Sequence, residues 1–302
     1  MDEVAVVTQP TVTFYGVRGS VPCSGPRYHR YGGNTSAVLL ELPGRSPIAF
    51  DLGSGIRDLG DELMAGLGAG AGPVEIDVLL SHLHWDHVLG MPFFTPAFLP
   101  DTTMTVHGPE QPGTTLREAF TGMMRPPYFP ITPDEFGAGF SFADVGAERF
   151  DLGDARVLSR WVRHTDPALG FRVDAAGVSV TYVADHGPGC VPTDPDDFVP
   201  DDVVELADGV DLLIHDAQYT QAEQDARPHF GHSSIDYAVH VAAEAGAKCL
   251  ALYHHCPSHG DDDLDAMLEH ARDLSARRDG PEVIAAHQGQ RLVLTPENPR
   301  TP

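Results

Sequence analysis

The chain has 302 residues, and its 44 acidic against 19 basic side chains give a formal charge of −25, which repels a polyanionic partner unless a basic patch overrides it; no Lys/Arg cluster is visible. No stretch approaches the roughly 18 apolar residues of a membrane span, and the first ten residues lack the basic-then-apolar pattern of a secretory signal, so a cytoplasmic protein without membrane association is expected. Four scattered cysteines, Cys23, Cys190, Cys249 and Cys256, have no short paired spacing and fit neither a disulfide framework nor a cysteine zinc knuckle.

Taken in order, alternating or β-branched runs predict strands at 11–17, 35–41, 47–51, 75–80 and 103–107, then at 155–162, 169–174, 178–183, 211–215 and 248–253. Between the two groups, 108–150 is rich in Pro, Gly and aromatics and reads either as an insertion or lid over a pocket mouth or as an ordinary surface loop. The clearest helix follows Gly231-His232-Ser233-Ser234: Ser233 and Asp236 fit a capping box, Ile235, Ala238, Val239 and Ala242 form a stripe, and Gly246 suits the C-cap. A second helix is predicted at 261–277, opened by three aspartates and ending on Arg277 and Arg278. Strand groups punctuated by single helices, without a low-complexity linker or an internal repeat, predict one α/β domain over residues 1–302.

The chemistry concentrates in Ser81-His82-Leu83-His84-Trp85-Asp86-His87, directly after the apolar run Val78-Leu79-Leu80. In an extended segment His82 and His84 point to one side and can converge on one metal ion. Asp86 and His87 follow a turn and can face a second. A lone histidine is more often structural than ligating, but four such groups at this spacing are hard to obtain from composition alone.

This string resembles the signature of the metallo-β-lactamase superfamily, whose fold is a four-layer αββα sandwich with metal ions at the sheet edges. The resemblance implies a further histidine, an aspartate and a last histidine at successive strand ends, matched here by His164, Asp185 and His254. It assigns His82, His84 and His164 to one ion, Asp86, His87 and His254 to another, and Asp185 to both. His255 competes with His254 for the last place. Asp51, in Asp51-Leu52-Gly53, would hold a ligand through hydrogen bonds or merely cap a turn. Zinc is the expected metal, with iron or manganese compatible with mixed His/Asp ligation.

Asp211-Leu212-Leu213-Ile214-His215-Asp216-Ala217-Gln218 and Phe230-Gly231-His232-Ser233-Ser234 resemble paired motifs of the phosphodiesterase branch near RNase Z and the cyclic-phosphate phosphodiesterases. By that resemblance His232 acts at the scissile phosphate, assisted by Asp216, while Asp86 belongs to the catalytic metal centre. A helix N-terminus behind His232 suits an anion; a plain capping role is the alternative.

The expected reaction is attack by a metal-bound hydroxide on a small phosphodiester or cyclic phosphate. The acidity and the lack of a glycine- and lysine-rich arm argue against tRNA as substrate. Carbonyl-ester hydrolysis (thioesterase, lactonase or β-lactam type) on the same ions is the first alternative, and a redox or non-hydrolytic binding module the second. Arg18 and Tyr128 are expected as pocket-mouth contacts. Cys256 would tune the second ion or pack, and a homodimer is left open.

Overall fold

The computed structural model describes residues 7–68, 73–188 and 200–295, so Cys190 lies outside the described residues. In chain order the strands are β1 (Thr11–Gly16), β2 (Ala37–Glu41), β3 (Ile48–Phe50), β4 (Glu75–Leu79), β5 (Thr103–Pro109), β6 (Gly139–Val145) and β7 (Arg149–Leu152), followed by β8 (Ala155–Val162), β9 (Ala168–Ala175), β10 (Val178–Val183), β11 (Leu212–Asp216), β12 (Cys249–Tyr253), β13 (Glu282–Ala285) and β14 (Arg291–Val293). The helices are α1 (Ile56–Gly68), α2 (Trp85–Val88), α3 (Leu116–Met123), α4 (Asp201–Ala207), α5 (Gln221–Ala226), α6 (Ile235–Glu244) and α7 (Asp261–Ala276).

Runs such as Val178–Val183, buried at every position, cannot have a wet face and must lie between two layers. Two seven-stranded mixed sheets meet this demand, ordered β14-β1-β2-β3-β4-β5-β6 and β13-β12-β11-β10-β9-β8-β7. Val180 and Tyr182 face Phe14, Phe50 and Leu79 across the inter-sheet core, whereas Val183 turns to the layer formed with Val203, Leu206, Ala238 and Leu264 of α4, α6 and α7. On the other outer face Ile76, Val78 and Leu80 pack against Ile56 and Leu59 of α1 and Leu116 and Phe120 of α3. The result is the αββα order of the metallo-β-lactamase sandwich.

Each of the ten expected strands is present. The segment 108–150 contains regular structure: β6 pairs in parallel with β5 at the edge of the first sheet, and β7, which begins in it, pairs with β8 at the edge of the second. In α6 the N-cap is Ser234, whose side chain accepts the Tyr237 N–H, one residue later than expected; the Ser233 hydroxyl instead donates to the His186 carbonyl, and Asp236 reaches His270 on α7.

Both sheets pair in parallel on one half, β3-β4-β5-β6 and β10-β11-β12-β13. The carboxyl ends of parallel strands are where open α/β sheets place ligands. His82 follows β4, Asp185 follows β10, Asp216 ends β11 and His254 follows β12, so four of the predicted positions emerge at these ends.

Candidate metal centre

His82, His84, His164 and Asp185 each offer a ligand atom, and these atoms lie within 4.8 Å of one another; Asp86, His87 and His254 form a second such group. The Asp185 carboxylate lies between them. Its Oδ2 is 3.6 Å from His82 Nε2 and 3.5 Å from His164 Nε2, while Oδ1 is 3.1 Å from both His87 Nε2 and His254 Nε2. Asp86 Oδ2 sits 3.2 Å from His87 Nε2 and 3.1 Å from His254 Nε2. All seven predicted ligand positions therefore meet in one place. Buried His82 Nε2, His87 Nε2 and Asp185 Oδ1 have no hydrogen-bond partner there. Such orphans are costly unless a cation uses them, so the donor set fits divalent metal.

His254, rather than His255, faces the carboxylates. Its backbone leaves β12 in the left-handed region (φ 58°), swinging the ring inward, whereas His255 Nε2 binds the Ala286 carbonyl at 2.8 Å and its ring packs on Tyr31. Asp51 (φ 59°) and Ser20 (φ 64°) share this uncommon conformation, and both act at the centre. Asp51 Oδ2 accepts from His87 Nδ1 at 2.6 Å, from Ser81 Oγ at 2.9 Å and from Tyr182 Oη at 2.7 Å, while Ser81 N–H donates to Oδ1. The Ser20 N–H donates to Asp86 Oδ2 at 2.7 Å. Cys256 contacts Ser258 Oγ.

Arg18 is not a pocket-mouth contact. It is fully buried, donating to the carbonyls of Gly32, Cys256 and His259, because the loop before β2 and the loop after β12 turn their C=O groups onto the guanidinium. Arg18→Ala is expected to cost on the order of 3 kcal/mol by denaturant unfolding, since it strands these buried acceptors. Tyr128, by contrast, is 74% exposed.

His84 uses Nε2 on Asp166 Oδ2 at 3.0 Å, leaving Nδ1 for the cluster, 3.2 Å from His164 Nε2. Asp166 is absent from the sequence reading because a single aspartate in a polar loop carries no signal of what it will touch. His164 Nδ1 is held by the Gly231 carbonyl at 2.9 Å; Gly231 is left-handed (φ 75°), and a Cβ there would stand 2.7 Å from that nitrogen. Asp166→Ala is expected to weaken metal affinity about tenfold, at the low end for a ligand's hydrogen-bond partner because the pair is solvent-exposed, as read by chelator competition.

His232 completes the group, its Nδ1 2.8 Å from buried Asp216 Oδ2 and its ring stacked on His254 at 5.1 Å between centroids. Burial alone would depress its pKa, but Asp216 beside it, with Asp185 and Asp86 beyond, raises it to about 9. Burial likewise opposes ionisation at His87, yet Asp86, Asp185 and Asp51 hold its pKa well above the usual imidazole range. For His82 burial prevails, helped by the neighbouring His87, and its pKa lies well below that range. His107, His240, His259 and His270 pair with Asp77, Arg278, Glu223 and Asp236, away from the cluster.

An αββα sandwich with histidines and aspartates gathered at the strand ends is the architecture of the metallo-β-lactamase-fold hydrolases. The chain belongs to this family, the β-lactamase superfamily domain matching residues 60–255. It is 29% identical to an uncharacterised protein of Mycobacterium tuberculosis (strain ATCC 25618 / H37Rv), over 91% of this chain and 89% of that one. It is 26% identical to the ribonuclease Z of Haloarcula marismortui, over 95% and 97% of the two chains. Among solved structures it resembles a diphosphatase of the PhnP family, with 18% identity, a TM-score of 0.65 and coverage of 95% and 98%.

Proposed function

We propose that the protein is a dinuclear metal-dependent phosphodiesterase acting on a small phosphodiester or cyclic phosphate. The observation that carries this reading is the His232–Asp216 pair beside the two ligand groups: a protonated imidazole whose Nδ1 is engaged keeps Nε2 to donate to a departing alkoxide. Bound at the cluster, two divalent cations, zinc by preference for an imidazole-rich set, would supply a water of lowered pKa and neutralise charge on the phosphoryl oxygens.

The chain's own groups do the rest. Asp51 fixes the His87 ring, the Ser20 N–H fixes Asp86, and Asp216 orients His232 and keeps it protonated. Asp86 thereby serves the reaction as a ligand rather than as a proton donor, its carboxyl held well below the usual range against burial by His87 and His254. A formal charge of −25 disfavours a long polyanion such as tRNA, which favours a small substrate within the cytoplasm. Ribonuclease Z and the diphosphatase both act, by their names, at phosphorus, in keeping with this reading.

The test is hydrolysis of bis(p-nitrophenyl) phosphate and 2′,3′-cyclic nucleotides by protein of known metal content, beside lactone, thioester and β-lactam substrates and an Asp86→Ala control. Turnover of phosphodiesters alone, lost in the control, is expected. Turnover confined to the carbonyl substrates would overturn the reading and leave His232 as a neighbour of the α6 cap.

A further inference from the structure

Four of the five imidazoles that would hold metal have a partner on the nitrogen turned away from the cluster. Ser81 Oγ meets His82 Nδ1 at 3.0 Å, Asp166 Oδ2 meets His84 Nε2, Asp51 Oδ2 meets His87 Nδ1 and the Gly231 carbonyl meets His164 Nδ1. His254 is the exception: its Nε2 faces Asp86 and Asp185, and its buried Nδ1 has no partner. A second buried orphan lies close by, Gln218 Oε1, on a residue 2% exposed that plays no part in the chemistry described above.

The two orphans face the same small space, held open by a glycine. A Cβ on Gly19 would stand 2.5 Å from Gln218 Oε1 and 2.5 Å from His254 Nδ1. Gly19 cannot withdraw, because its N–H donates to the His255 carbonyl and the next N–H, of Ser20, donates to Asp86.

We infer that Gln218 is a positioning residue for the second metal ion: its side-chain oxygen accepts the Nδ1–H of His254, directly or through one water, and Gly19 leaves room for this contact. A ligand imidazole must carry its proton on the nitrogen opposite the metal, and the acceptor found there sets both tautomer and ring orientation. Gln218 is placed for this by the turn after β11, where its main-chain N–H donates to Asp216 Oδ1 at 2.9 Å. One turn thus orients His232 through Asp216 and His254 through Gln218.

The inference rests on the reading that His254 holds a metal, and the experiment separates the two. Zn2+ affinity is measured by chelator competition for the wild type and for Gln218→Leu, Gln218→Glu, Gly19→Ala and His254→Ala, with Co2+ absorption spectra as a second readout. Gln218→Leu and Gly19→Ala are expected to weaken the weaker-held ion about 10- to 100-fold and to alter the Co2+ bands, and Gln218→Glu to return affinity to within a few-fold of wild type. A defect in His254→Ala with wild-type affinity and spectra in Gln218→Leu would overturn the role of Gln218. Two ions held at wild-type affinity by His254→Ala would overturn the metal assignment beneath it.

Discussion

Replacing His232 by alanine is expected to lower kcat on a phosphodiester with an alkoxide leaving group by about 10²- to 10⁴-fold, the usual contribution of a positioned general acid. The same variant should lose far less on bis(p-nitrophenyl) phosphate, because a nitrophenolate departs without a proton. The contrast follows from geometry: Nδ1 is committed to Asp216 at 2.8 Å, so one nitrogen remains to donate. It also follows from charge. In the metal-free protein three carboxylates outweigh burial and raise the pKa of His232 to about 9. Divalent cations held at the neighbouring cluster would lower it from there, making the proton easier to give up. Steady-state kinetics on the two leaving-group classes decide the point. Equal losses on both would mean that His232 supports the site rather than donating a proton.

The clustering of the seven candidate ligand positions was legible because its signal is dense: in His82-Leu83-His84-Trp85-Asp86-His87 residue type and spacing together point to a chemistry, and His164, Asp185 and His254 follow apolar strands that read clearly. The ten strands with buried runs were legible for the same reason. Four were not. Arg149–Leu152 and Arg291–Val293 are short edge strands with charged or half-exposed positions, Gly139–Val145 lies in a segment whose Pro and Gly suggest loop, and Glu282–Ala285 has only four residues. Groups that steady the site escaped because they act through the main chain, as with the Ser20 N–H and the Gly231 C=O, or because they are common polar residues brought close by distant folding, as with Asp166 and Gln218. Arg18 was misread because a glycine-rich flank suggests an open loop, whereas the fold turns three carbonyls onto the guanidinium.

Asp185→Asn is the substitution expected to cost most. Each oxygen of Asp185 serves a different group of ligands, so an amide removes the shared anion from both and places N–H donors against imidazole nitrogens. Metal content should fall below two ions per chain, and phosphodiester turnover by on the order of 10³-fold or more, as expected when several kcal/mol of charge stabilisation is lost. A pH series distinguishes loss of a ligand from general damage. In the metal-free fold His87 has a raised pKa, so its proton contributes stability that is fully present below the unfolded value of about 6.5 and is lost as pH rises through the folded value. Metal binding must expel that proton, so the Zn2+ affinity of the wild type should climb by roughly tenfold per pH unit as pH approaches the raised folded value of His87, and level off once His87 is deprotonated. Asp185 is one of the three carboxylates that hold this proton in place. In Asp185→Asn the climb should therefore end at a lower pH, on top of the weaker binding. An unchanged profile at full metal occupancy would remove Asp185 from the centre.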